Sequence, residues 1–93
     1  MYTVKRTKHF ERSFKKLLLS GAKASLKKEL AVVIDILASG KKLPQKYKDH
    51  QLKGELEEYR ECHVRADFLL VYQIIEDELV LVLVDIGTHS YLF

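Results

Sequence analysis

An α+β domain, with two N-terminal helices packed on one face of a small, mainly antiparallel sheet, is the fold this sequence predicts. Three observations carry the prediction. Two apolar stripes at helical spacing lie between Phe10 and Leu37. From Leu52 onward the apolar pattern becomes that of strands. The turns between those strands are too short for a crossover, so the strands must form an antiparallel meander. A chain of 93 residues makes one domain, 1–93, with a modest core.

Residues 1–6 alternate apolar and polar (Tyr2, Val4), as in a short edge strand. A first helix over 9–20 aligns Phe10, Phe14, Leu17 and Leu18, with Lys8, Arg12, Lys15 and Lys16 mostly off that face. Ser20-Gly21 breaks it. A second helix over about 22–39 carries Leu26, Leu30, Val33, Ile34 and Leu37; Gly40 supplies the C-cap and Pro44 the stop. Residues 43–49 form a lysine-rich loop, and 52–58 hold a short strand and a turn at Gly54. Over 59–65 the pattern alternates: Tyr59, Glu61, His63 and Arg65 share one face, Cys62 and Val64 the other. Ala66-Asp67 makes a tight turn, 68–75 an apolar strand, Glu76-Asp77 a second turn and 79–84 the last strand. The chain then runs into GTHSYLF, a terminus tied down by large apolar groups. With both helices on one sheet face, the other is free to hold a site.

Composition narrows the class. At 47% hydrophobic and 31% charged residues the chain reads as an ordinary globular domain. No stretch reaches the roughly 18 apolar residues of a membrane span, and no apolar signal region follows the first charges. Cys62, without a second cysteine, excludes an internal disulfide and fits a reducing cytoplasm. Its setting reads as a buried small apolar position in preference to a nucleophile. Charge is uneven: 13 lysines and arginines against 4 acids in residues 1–50, then 3 against 9 in residues 51–93. A basic first half fits contact with a polyanion such as nucleic acid, and equally two solvated lysine-rich helix faces.

The sheet brings the chemically capable residues together. His63 lies near the end of one strand, Asp67 in the turn beyond it, and His89 just past the last strand, with His50 in the loop before the sheet. Histidine takes and gives a proton near neutral pH. Two or three histidines with a carboxylate suit general acid–base work, and in a basic protein that points to RNA cleavage by internal transesterification. Such a reaction needs no metal or other cofactor. A zinc reading is weaker, since the histidines lack the close pairing of common zinc motifs. His9, inside the first helix, reads as structural. Phe68 and Phe93 read as core residues or, in an RNA complex, as platforms for a stacked base.

The run YKDHQLKGELEEYRECHVRADFLLVYQI, followed by LVLVDIGTHSYLF, resembles the YafQ branch of the RelE superfamily of bacterial toxins. The likeness rests on the DH of the loop, the L-K-G step, the YR-x-CH-V strand, the R-x-D turn and the G-T-H-S-x-L-F end. It is close over 47–93 and covers the helical half in layout only. The resemblance implies a RelE-like microbial RNase fold and ribosome-dependent, metal-independent cleavage of mRNA, inhibited by a partner antitoxin. By position, His50, His63, Asp67 and His89 match the family's acid–base group, with His89 protonating the leaving 5′-oxygen. His50, or Asp67 with His63, would then activate the 2′-OH. Phe93 matches the terminal aromatic that helps hold RNA and Phe68 a usual tryptophan, while Arg65 and Lys53 are further expected RNA contacts. Two positions depart from the pattern: Ala66 stands in place of a proline, and Asp85 in place of an arginine that contacts the scissile phosphate. A carboxylate there is expected to weaken phosphate binding and activity.

Overall fold

The computed structural model describes residues 1–21 and 24–88. In chain order they form β1 (Thr3–Arg6), α1 (Lys8–Leu19), α2 (Ala24–Ala38), β2 (His50–Gln51), β3 (Arg60–Arg65), β4 (Phe68–Ile75) and β5 (Val80–Thr88). Single 3-10 turns stand at Gln45–Tyr47, Gly54–Leu56 and Glu76–Glu78.

The five strands lie in the order β1-β5-β4-β3-β2. β2 to β5 pair antiparallel, as short turns demand, whereas β1 runs parallel to β5. The intervening helices supply the long connection that a parallel pair needs. The expected fold class holds, with the sheet mixed at one edge.

One face of the sheet and the apolar stripes of both helices make the core. Phe10 of α1 and Leu26, Leu30, Val33 and Leu37 of α2 meet Cys62, Val64, Leu70, Tyr72, Leu81, Leu83 and Ile86. Helix α1 begins at Thr7, whose hydroxyl accepts from Phe10 N–H at 2.9 Å and donates to the Val84 carbonyl at 2.7 Å. One residue thus caps the helix and fastens it to β5. Helix α2 ends in a Schellman arrangement: Gly40 has φ +82°, its N–H donates to Leu37 O and that of Lys41 to Ile36 O.

Three local features differ from expectation. The turn expected at Gly54 is present as the 3-10 turn Gly54–Leu56, but the short strand lies before 52–58, at His50–Gln51. β5 continues past Val84 to Thr88 because a register shift opposite Val71/Tyr72 leaves Val84 unpaired in the ladder. That bulge lets Leu83 and Ile86, three apart, both reach the core. Finally, Ala66 has φ +53°, a left-handed conformation closed to proline. The turn here is therefore built differently from a proline turn.

Candidate active site

Strand register sets the site on the sheet face opposite the helices. Residues directly across from one another share a face. The pairs His50↔Glu61, Glu61↔Val71 and Val71↔Asp85 therefore form one cross-sheet row, and His63↔Leu69↔Gly87 the next. His50 and His63, thirteen residues apart in sequence, come together in this way. Their ring centroids are 6.5 Å apart.

His50 is held from two sides. Its Nδ1–H donates to the Lys48 carbonyl at 2.7 Å, and its Nε2 lies 3.1 Å from Glu61 Oε1. Lys48 adopts a left-handed conformation (φ +48°) that ends the 3-10 turn Gln45–Tyr47. The neighbouring Asp49 fixes this segment to the sheet. Its carboxylate accepts from Arg60 Nε (3.3 Å) and the second guanidinium nitrogen (3.0 Å), and from the Tyr72 hydroxyl. Asp49 holds the Arg60 guanidinium even more firmly protonated than usual. Burial, then the bond to Asp49, pushes the Tyr72 phenol well above its ordinary range. Below the turn, buried Tyr47 donates to Glu29 of α2.

Glu61 is only 6% exposed, and its Oε2 is fully buried with no hydrogen-bond partner among the described residues. A buried carboxylate oxygen without a donor is costly, and here it sits beside two histidines. Sequence reading placed Glu61 in the right row but took it for one member of an open polar face. Alternation gives the side of the sheet; it does not give the burial or the contact with His50.

The other expected site residues are distributed as follows. Asp67 is exposed in the β3–β4 turn. Arg65, expected on the face of Glu61 and His63, is exposed but pairs with Phe68, because a register shift after His63 turns it to the helix side. Lys53 is exposed just before the turn Gly54–Leu56. Phe68 packs against the core on the helix side, opposite the face shared by His63 and Leu69. It is not brought together with the histidines. His89 and Phe93 lie outside the described residues. Cys62 is completely buried, and burial pushes its thiol up to about 12, in keeping with a packing role.

Asp85 has local partners. Its Oδ2 lies 3.2 Å from His9 Nε2, and its Oδ1 accepts from the Ile86 N–H at 2.8 Å. It also faces the first turn of α1, where the helix dipole favours an anion. His9, read as structural from the sequence, is thus the partner of the residue that departs from the family pattern. Both border a groove of about 260 Å³ that Leu52, Leu56, Tyr59 and Val71 complete.

Two helices packed on a mixed five-stranded sheet are the fold of solved YafQ toxins. The family model described as "Bacterial toxin of type II toxin-antitoxin system, YafQ" matches residues 2–93, and the chain belongs to that family. It is 41% identical over 51 residues to the mRNA interferase toxin YafQ of Escherichia coli K12, a match spanning 55% of this chain and 53% of that protein. Among solved structures, a metal-bound toxin from Helicobacter pylori superposes with a TM-score of 0.88 at 45% identity, covering 100% of both chains. The E. coli DinJ–YafQ complex gives 0.86 at 26% identity, covering 100% of this chain and 99% of that one. Among the described residues no group of three or more His, Cys, Asp or Glu side chains is arranged to hold a metal ion. No helix among them is long and apolar enough to cross a membrane.

Proposed function

We propose that this chain is a ribosome-dependent mRNA endonuclease that cuts by acid–base catalysis and is held inactive by a cognate antitoxin. The observation that carries the reading is the cluster of His50, His63 and the buried carboxylate of Glu61 on one sheet face. The name of the E. coli relative, an mRNA interferase toxin, supports the reaction class. The E. coli DinJ–YafQ complex supports the antitoxin partner, and a cytoplasmic location follows from the proposed substrate.

The chemistry divides among named groups. His50, its Nδ1–H held by the Lys48 carbonyl, takes the proton of the ribose 2′-OH at Nε2, and the Glu61 carboxylate beside that nitrogen stabilises the imidazolium that forms. The 2′-oxygen attacks phosphorus and the P–O5′ bond breaks, leaving a 2′,3′-cyclic phosphate. His89, matched by position to the family's terminal histidine, returns a proton to the departing 5′-oxygen. His63 stands beside His50 to orient the phosphate, with Asp67 beyond it. Phe93 and Phe68 are assigned to holding the RNA by the resemblance alone, and Lys53 and Arg65 by their charge. Each proton-transfer group contributes roughly 10²–10⁴-fold. The test is cleavage of a ribosome-bound message: His50→Ala, His63→Ala and His89→Ala should each lose about that factor, and unchanged cleavage in all three would overturn the assignment.

A second reading has one observation in its favour, the Asp85 carboxylate on the site face. In that reading the chain binds antitoxin or RNA without cutting. Growth arrest that survives His50→Ala combined with His89→Ala, with partner binding retained, would favour it.

A further inference from the structure

The site face has an anion, Asp85, at its β5 end, so the positive charge that a phosphorane needs must come from elsewhere. It is present at the opposite edge. β2 pairs with β3 only at Arg60 and Glu61, and beyond them a cleft of about 300 Å³ opens between β3 and the segment before β2. Its walls include Lys46, Lys48, Arg65 and His63. The three cations are exposed, and one acid, Glu29, also lines the cleft, its carboxylate occupied by the Tyr47 hydroxyl. The balance is two positive charges before His63 is counted.

Two further observations mark this as a built cleft. Among the described residues three non-glycines have positive φ, and two of them, Lys48 (+48°) and Ala66 (+53°), line it. Each such conformation costs about 1 kcal/mol or more and persists only where the surroundings impose it. Lys48 also joins the cleft to the site directly. Its carbonyl accepts from His50 while the residue itself lines the cleft, and His63 borders both.

We propose that Lys46, Lys48 and Arg65 form a phosphate-binding subsite at the β3 edge, which grips the RNA backbone beside His63 and supplies the cationic charge for the reaction. The subsite rests on the endonuclease reading for its role in catalysis and stands without it as an anion site. An extended RNA strand would then cross the sheet edge from the turn Gln45–Tyr47 to the β3–β4 turn, its phosphate over the three cations and its ribose toward His50.

The test uses the whole chain and a single-stranded oligoribonucleotide carrying 2′-deoxy residues, which binds without being cut. Amide resonances of 46–48 and 63–66 should shift saturably. In the variant Lys46→Gln, Lys48→Gln, Arg65→Gln, affinity should fall roughly tenfold at low salt, and the slope of log Kd against log salt should drop by about 0.7 for each phosphate that is no longer neutralised. Lys48→Gly guards against loss of fold: glycine suits the left-handed backbone, so that variant should melt no lower than the parent yet bind more weakly. Lys41→Gln with Lys42→Gln, outside the cleft, should bind as the parent does. Equal affinity and slope in the triple variant, or shifts that avoid 46–48 and 63–66, would overturn the subsite. Message cleavage is measured alongside. Binding that follows these variants in a protein that cuts nothing sinks the endonuclease reading and leaves the subsite standing; cleavage that ignores the triple variant does the reverse.

Discussion

At the scale of single residues, the chain separates groups that pack from groups that titrate. Cys62 belongs to the first kind. Its thiol, ordinarily ionising near 9, is pushed up to about 12 by burial. Below pH 9 it is neutral in both folded and unfolded chains and costs nothing. Above that, the unfolded thiol ionises while the folded one does not, so the folded state holds more protons and stability falls as pH rises toward 12. Chemical denaturation of the parent should therefore show a decline beginning near pH 9, and Cys62→Ala should show a shallower one. Tyr72, raised in the same direction, adds its own loss at higher pH. Glu61 is the residue that sequence reading undervalued. Its neighbours His50 and His63 were readable as candidates from residue type and position. Its buried, half-satisfied carboxylate depends on how the segment 50–60 folds over the sheet edge, which no periodicity records.

At the scale of elements, the helices, the meander and their order were legible because 3.6- and 2-residue periodicities are strong and the turns are short. What escaped was irregular backbone: the 3-10 turn at Gln45–Tyr47, the bulge at Val84, and the left-handed residues Lys48, Ala66 and Leu79. These depend on a few torsions fixed by tertiary contacts, not on composition. The β3–β4 turn gives a direct check. Ala66→Gly should raise stability by about 0.5–1 kcal/mol by removing the Cβ penalty at positive φ. Ala66→Pro should lower it by about 3 kcal/mol or more, since the ring cannot reach that φ. Urea denaturation measures both. If the proline form were as stable as the parent, a left-handed Ala66 would be the wrong geometry for this turn.

At the scale of the whole molecule, the basic N-terminal half and the acidic C-terminal half are folded against each other so that cations and the proposed acid–base cluster meet at the β3 edge. Asp85 sits away from that edge, paired with His9 at the start of α1. Asp85→Arg should thus have two opposed effects: tighter RNA binding from the reversed charge, and a stability loss of about 0.5–1 kcal/mol from a cation placed at a helix N-terminus. Thermal melting and RNA titration read the two separately. The central claim, that the sheet-face cluster is an acid–base centre, is tested most directly by Glu61→Gln. The substitution keeps size and shape but removes the negative charge beside His50 Nε2. With His50 in place, the variant should fold with a Tm close to that of the parent and cut ribosome-bound message roughly 10²-fold or more slowly. A well-folded Glu61→Gln protein that cuts at the parental rate would contradict the account.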